Sequence, residues 1–239
     1  MMKHMLASGL IAGCVVACLV TILQFAFLED LVLLAERYES GELVQFQQSD
    51  HVDATTKTAP AAPAEAHDRM ITGEESFALR QAKTFLSAII TYCGYSLVLV
   101  AGFALAGQNG IPISPSQGLL WGLAGFVCFQ MAPAMGLAPE LPGGLSAPLQ
   151  ARQLWWIGCA VATAGGLALL AYGGGVMQRL AGTALLAIPH ILGAPHLDHF
   201  SGTVPPELAA SFAARSLGVG LVAWVTLGGL AARFWSRPA

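Results

Sequence analysis

Apolar runs long enough to cross a lipid bilayer constrain this chain more than any other feature of its sequence. A membrane-spanning helix needs roughly 20 mainly apolar residues, and six runs are candidates, at about residues 6–28, 84–107, 116–137, 154–174, 179–194 and 212–232. Charged residues make up only 10% of the chain, against about 25% in soluble domains. The sequence therefore predicts an all-α, polytopic integral membrane helix bundle that forms a single transmembrane domain over residues 1–239.

The number of spans depends on the fifth run, residues 179–194. This run is short and contains Pro189 and His190, so five spans, or a re-entrant fifth segment, remain the alternative to six. The first run lies where a signal peptide would lie, but no small-residue cleavage site follows it and its 23 residues exceed the ~7–15 apolar residues of a signal peptide. We therefore expect the first run to be a retained span.

One long hydrophilic loop, residues 29–83, joins the first two runs. Its beginning is rich in helix-forming residues, so the first helix is expected to continue beyond the membrane. The stretch at about residues 47–70 is polar and rich in alanine and proline, which is typical of a flexible linker. The pattern Thr72-x-x-Glu75 matches a capping box, so we expect a helix to resume before the second run.

The acidic residues are distributed on one side of the predicted bundle. With six spans, all fourteen of them fall on one face of the membrane. Four of the six histidines join them there: His51, His67, His196 and His199. Such a face suits cations, although acids also collect on a face simply where nothing excludes them. The sequence thus indicates sidedness without proving a role for it.

The orientation of that face is not fixed by the positive charges. The positive-inside rule favours cytoplasmic termini through Lys3, Arg233 and Arg237. Five cations near membrane ends on the opposite face count against it: Arg37, Arg80, Lys83, Arg152 and Arg215. We expect cytoplasmic termini on balance.

Several functions are excluded or unsupported by the sequence. A net charge of −3 offers no electrostatic footprint for nucleic acid. The chain contains no phosphate-binding G-x-x-x-x-G-K-[ST] loop, no H-E-x-x-H, no G-x-S-x-G and no Cys-x-x-Cys. Its five cysteines lie in apolar runs and form no disulfide framework. We therefore expect a protein that is not an enzyme.

The end of the third run, FQMAPAMGLAPELPG at residues 129–143, does not read as a continuous helix. Three prolines interrupt it, and at membrane depth freed backbone groups occur only where protein or a water-filled cavity covers them. The loop carries one acid, Glu140. This pattern favours the mouth of an ion pathway, with a rigid helix cap as the alternative. The candidate pathway-lining residues are Gln130, Met131, Met135 and Glu36, although methionine in a helix more often serves as packing.

A cluster of metal-ligating residue types lies in IPHILGAPHLDHFSG, residues 188–202. Neutral imidazole and carboxylate together suit Co²⁺, Ni²⁺ and Zn²⁺, and an ionisable group within a span is a functional candidate. Pro189 and the region Gly193–Pro195 should break the fifth helix and bring His190 and His196 toward the irregular exit of the third. The alternatives are an interfacial histidine pair and a buried histidine bonded to a neighbouring helix. The candidate metal ligands are His190, His196, Asp198, His199 and Glu140.

Four segments, in order along nearly the whole chain, resemble the CbtA family of predicted cobalt transporter subunits. The first is LIAGCVVACLVTILQFAFLEDLVLLAERYE, near the start of the chain. The others are PAMGLAPELPG with the following RQLWWIG, then PHILGAPH, and finally VPPELAASFAARSLG. The linker around residues 45–70 is the part that has no counterpart.

The resemblance implies a multi-pass protein of the bacterial inner membrane that takes part in cobalt uptake for cobalamin synthesis. It also implies a small partner of the CbtB type, with one span and a histidine-bearing terminus. Co²⁺ would be the transported ion, and no cofactor would be bound permanently. The resemblance transfers no metal ligands, and the sequence does not distinguish cobalt from nickel.

Three functional classes stay open at this point. The first is a permease subunit with Glu140 and the histidine cluster near the ion path. The second is a membrane scaffold that assembles a transporter without contacting the ion. The third is a membrane metalloenzyme, which would need three clustered protein ligands and a general base beside an open coordination position.

Overall fold

The structure is a computed structural model that describes residues 2–45, 77–197 and 202–236. Its regular elements in these ranges are helices, as the sequence predicts, and the predicted linker at residues 47–70 and the capping box lie outside them. The helices are α1 (Met2–Phe27), α2 (Glu29–Glu39), α3 (Phe77–Gln108), α4 (Pro115–Phe126), a π-helix (Val127–Met131), α5 (Ala132–Ala134), α6 (Leu149–Tyr172), α7 (Val176–Leu192) and α8 (Pro206–Trp235).

Four of the described helices, α1, α3, α6 and α8, are long and apolar enough to cross a membrane. The predicted count of six spans is not confirmed. The third predicted run is divided among α4, the π-helix and α5, and the fifth forms α7, a helix of 17 residues. At about 1.5 Å per residue, α7 is about 25 Å long, less than the ~30 Å hydrocarbon core of a bilayer.

The hydrophilic loop contributes helix at both of its ends, as expected. Leu28 separates α1 from α2, and backbone hydrogen bonds continue across it into α2, which carries the first acidic residues of the loop. The helix α3 begins at Phe77, several residues before the second apolar run. The two extensions are joined by side-chain hydrogen bonds from Arg80 to Glu36 and from Gln81 to Glu29, so long polar side chains bridge α2 and the start of α3.

Glycines allow α4 and α8 to pack backbone to backbone. A Cβ atom on Gly122 would overlap the carbonyl oxygen of Trp224, and one on Gly228 would overlap that of Gly118. The Trp224 side chain is fully buried, with its ring stacked on Phe129 at 5.3 Å between centroids. Small residues at such contacts are the usual means of helix association in membranes, because close approach replaces the missing hydrophobic drive.

The helices α1 and α3 meet in the same manner and complete the core with α4 and α8. A Cβ on Gly13 would lie 2.6 Å from the Cα of Cys93, and the thiol sulfurs of Cys14 and Cys93 are 3.7 Å apart. The core contains Val16, Phe103 and Leu227, which are fully buried. These four helices therefore form one continuous packed unit.

The helices α6 and α7 form a hairpin that packs more loosely on this unit. They approach at Gly166 and Gly182, where a Cβ on either glycine would lie within 2.9 Å of the other's carbonyl oxygen. Among the described helices, α7 contacts α6 alone, whereas α6 also contacts α4, the π-helix and α5. The hairpin thus reaches the rest of the bundle through α6.

The connections that follow α2, α5 and α7 converge at one end of the bundle. Gly144 and Gly202 form an isolated antiparallel bridge. The Gln45 side chain donates to the Gly202 carbonyl, and the Thr203 hydroxyl donates to the carbonyl of Gly143. The structure therefore places the acidic end of α2, the proline-rich loop and the chain after α7 together.

Candidate functional site

The third apolar run departs from α-helical geometry before its first proline. Residues Val127–Met131 form a π-helix, after which the Ala132 N–H donates to the Val127 carbonyl. Pro133 has no N–H to donate, and helical structure ends after the three residues of α5. The break expected from the prolines is present, and the π-turn is a further feature that the sequence did not predict. Such turns are frequent at functional sites.

Gln130, in the π-helix, is the one member of the predicted pathway lining from this segment that reaches the interior. Its Oε1 atom is buried and accepts no hydrogen bond within the described residues. The atom lies against Gly220 of α8, where a Cβ would overlap it. Met131 and Met135, in contrast, are 48% and 72% exposed, and they line neither of the cavities beside Glu140.

Glu140 lies in the loop after α5 and is held by two donors. Arg152, in the first turn of α6, donates from Nη1 to Oε2 of Glu140 at 2.9 Å, and the Ser146 hydroxyl donates to the same oxygen at 2.5 Å. No hydrogen bond to Oε1 is formed within the described residues. The Nε atom of Arg152 is buried and also has no partner there. One oxygen of the carboxylate is therefore saturated and the other is available.

Two cavities lie against this ion pair. The first, of about 650 Å³, is lined by Leu137, Ala138, Glu140, Leu149, Arg152, Gln153, Trp156 and Ile157. The second, of about 610 Å³, extends toward the chain after α7 and the start of α8, and its lining includes Gln45, Glu140, Arg152, His196 and Gly202. Both cavities share Leu137, Ala138, Glu140 and Arg152, so the ion pair lies on the boundary between them.

Of the two predicted histidine ligands in the described residues, the structure places His196, but not His190, in a cavity with Glu140. His196 is exposed and lines the second cavity with Glu140. His190 is half-buried, with its ring 6.4 Å from that of Trp155, and lines neither cavity. Asp198 and His199, the other two candidate ligands of this segment, lie outside the described residues.

Pro189 does not break α7, contrary to the sequence prediction. The helix continues through Pro189 and ends at Leu192, before Gly193 with φ +79°. The carbonyl of the buried Pro189 accepts hydrogen bonds from the Gly193 N–H and from the Trp155 indole. The break therefore falls at Gly193, where a left-handed glycine commonly ends a helix.

Glu36 lies on α2, away from the two cavities. Its carboxylate accepts a fork of two hydrogen bonds from the Arg80 guanidinium, one of them at 3.0 Å. Both side chains are partly exposed. This geometry matches the planar Arg–carboxylate pair that fixes orientation between elements. Glu36 therefore links α2 to α3 through Arg80.

The described residues contain no group of three or more His, Cys, Asp and Glu side chains that could hold a metal ion. Within them, Glu140 and His196 are the predicted ligands that share a cavity. Sequence reasoning counted Arg152 only as a charge near a membrane end and did not connect it with Glu140. The signal for the connection was available, because Glu140 is the only acid of its loop and Arg152 the first cation after it.

The described residues form an all-helical bundle with four long apolar helices and a polar site at the end of the broken third apolar run. This is the architecture of a multi-pass membrane protein. The sequence matches the protein family described as "Probable cobalt transporter subunit (CbtA)" over residues 2–236. The chain therefore belongs to the CbtA family. Searches of curated proteins and of solved structures gave no match.

Proposed function

We propose that this chain is the membrane subunit of a cobalt uptake transporter and that the ion enters beside Glu140. The observation that carries the proposal is the pair of cavities against the single acid of a broken helical segment, with His196 lining one of them. Membership of the CbtA family supports a transport role for cobalt. The role involves no catalytic step.

The entry site is a proposed set of mixed nitrogen and oxygen ligands. The free Oε1 of Glu140 would replace one water of the hydrated ion, and the neutral imidazole of His196 a second, since borderline ions accept both ligand types. Asp198 and His199 follow His196 closely in the chain and complete the proposed set. His190 and the buried oxygen of Gln130 would act deeper in the bundle, where a charged residue would be expensive.

The remaining parts of the proposal concern topology and assembly. Six crossings, with α4, the π-helix and α5 acting as the third and α7 as the fifth, would place the three converging connections on one face. We place the chain in a bacterial inner membrane with cytoplasmic termini, supplying cobalamin synthesis. As a transporter subunit, it would act with a small single-span protein of the CbtB type.

Uptake of labelled Co²⁺ and Ni²⁺, measured in cells that express the chain with and without that partner, tests the proposal. E140Q and H196A should lower Co²⁺ uptake while the amount of chain in the membrane stays constant, and H190A should do so as well. M135L is the matched control and should be nearly silent, because Met135 is exposed and lines neither cavity. Normal uptake by E140Q and both histidine variants would refute an ion path at this site.

A non-transporting scaffold is the second candidate function, favoured by one observation. Glu140 joins the proline-rich loop to α6 through Arg152 and to its own loop through Ser146, which is also what a structural cap would do. In that case E140Q would lower the amount of chain in the membrane in step with uptake. The ratio of uptake to membrane protein therefore separates the two functions.

A further inference from the structure

The structure contains two Arg–Glu pairs between elements, and they differ in how firmly the arginine holds the acid. Arg80 binds both carboxylate oxygens of Glu36 in a fork. Arg152 binds Glu140 through one nitrogen and one oxygen only. The Arg152–Glu140 pair thus lacks the two parallel hydrogen bonds that make arginine–carboxylate contacts strong. It is therefore the easier pair to open.

The Arg152–Glu140 pair also lies where an ion could reach it, because both of its residues line the two cavities. The cavities are open clefts of about 650 and 610 Å³. Each has room for a hydrated ion, since six waters occupy roughly 180 Å³. A cation that enters either cavity meets a carboxylate already neutralised by a tethered cation. It can approach the free Oε1 at once, but it can use Oε2 and the full charge of Glu140 only by displacing the guanidinium.

We infer that Arg152 is a charge-selecting gate, a resident cation that occupies Glu140 until a divalent ion displaces it. This inference rests on the proposed function, because it assumes that the transported ion passes Glu140. At equal distance and dielectric, a divalent ion attracts the carboxylate twice as strongly as a monovalent one. A monovalent ion gains nothing over the guanidinium that it would replace, whereas a divalent ion does.

Removing the gate should have an effect opposite to that of damaging the site. Without the guanidinium, Glu140 no longer has a competitor, so Co²⁺ should bind more tightly and K⁺ should compete more effectively. The pair is partly exposed, with side-chain exposures of 27% for Arg152 and 44% for Glu140, so the gain should be modest. Ion pairs of this kind support a gain of about two- to fivefold in Co²⁺ affinity.

The test is Co²⁺ binding to the purified full-length chain in lipid nanodiscs, measured by titration calorimetry with and without KCl. R152Q should bind Co²⁺ about two- to fivefold more tightly and lose more affinity in KCl than the unaltered chain. R152K keeps the charge and should keep the resistance to KCl. R152M, which retains an unbranched stem, repeats the test if R152Q yields no folded protein.

R37Q is the matched control, because Arg37 pairs with Glu42 at the same 2.9 Å but lines neither cavity. It should leave Co²⁺ affinity and its KCl dependence unchanged. If R152Q and R152M bind Co²⁺ no more tightly than the unaltered chain while E140Q loses binding, the gate is refuted and the entry site stands. If the unaltered chain and E140Q bind Co²⁺ equally, the entry site is refuted, and the gate with it.

Discussion

In the unit of α1, α3, α4 and α8, glycines bring helix backbones into contact, whereas the α6–α7 hairpin touches the rest of the bundle through one of its two helices. The most apolar stretch of α8 is 44% buried and that of α6 only 22%. The cavities beside Glu140 border α6 and the loops at its end. The site thus lies where dense packing gives way to sparse packing.

This difference in packing predicts different roles for the two regions. A densely packed helix pair has few alternative arrangements, because interiors at crystal-like density resist small displacements. A hairpin held through one helix can shift at lower cost, and regions with few buried contacts open most easily. We expect the core unit to act as the frame and the hairpin, with Arg152 at its start, as the part that adjusts to an ion.

The largest expected effect comes from adding one methyl group to the α4–α8 contact. In G122A the new Cβ meets the Trp224 carbonyl, and backbone cannot move aside as a flexible side chain can. Overpacking of this kind costs about 1–3 kcal/mol or more, so we expect a marked fall in thermal stability and in the yield of monodisperse protein on size-exclusion chromatography. G158A on α6 is the control, since a Cβ there meets nothing within 4 Å. Equal stability of the two variants would refute the contrast between the regions.

A methyl group in the hairpin should have a smaller and more local effect. In G182A the new Cβ would lie 2.9 Å from the Gly166 carbonyl oxygen, so α7 should separate slightly from α6. Hydrogen exchange followed by mass spectrometry should show faster exchange in α7 and unchanged exchange in α8. G122A, by comparison, should accelerate exchange in both α4 and α8. Faster exchange throughout the chain in G182A would show that the hairpin is not separable from the core.

The end of α7 should tolerate change with a small loss. Gly193 has φ +79° and no neighbour within 4 Å of a Cβ, so G193A meets strain in the backbone but no steric contact. Its ψ of 151° puts Gly193 in a region that glycine almost alone adopts, and such backbone strain costs an L-residue about 1–3 kcal/mol. This corresponds to several degrees in melting temperature, at about 2–4 °C per kcal/mol for soluble proteins of this size. An unchanged melting temperature would mean that the hairpin end rearranges freely.

The smallest effect should come from an ion pair outside both regions. Arg37 lowers the pKa of Glu42 below its usual 4.5 by donating a hydrogen bond to its carboxylate. A lowered pKa contributes stability that is present above about pH 4.5 and is lost as the pH falls through the folded value. The melting temperatures of R37Q and the unaltered chain should therefore differ slightly at pH 7 and converge on acidification. A difference that grows on acidification would contradict this assignment.

Sequence reasoning located the helices because hydropathy and length act locally. It also proposed Glu140 and His196, which share a cavity in the structure, since a lone acid after prolines and a histidine after a span are visible in the sequence. It did not find the π-turn around Gln130 or the pairing of Glu140 with Arg152. Both depend on which helices become neighbours. Gly122 and Gly220 allow close contact with another helix, but the sequence does not say which helix that is. Pro189 misled the prediction because the helix continues through it and ends three residues later, before Gly193.

The pairing of α4 with α8 also dictates an order of events during synthesis. The face of α4 that contains Gly118 and Gly122 is complete about a hundred residues before Trp224 is made, an interval of about 5–20 s at ordinary translation rates. Until then Gly118 and Gly122 lack the α8 backbone that they contact in the finished structure. The contact between α4 and α8 therefore closes late, after α6 and α7 have been made.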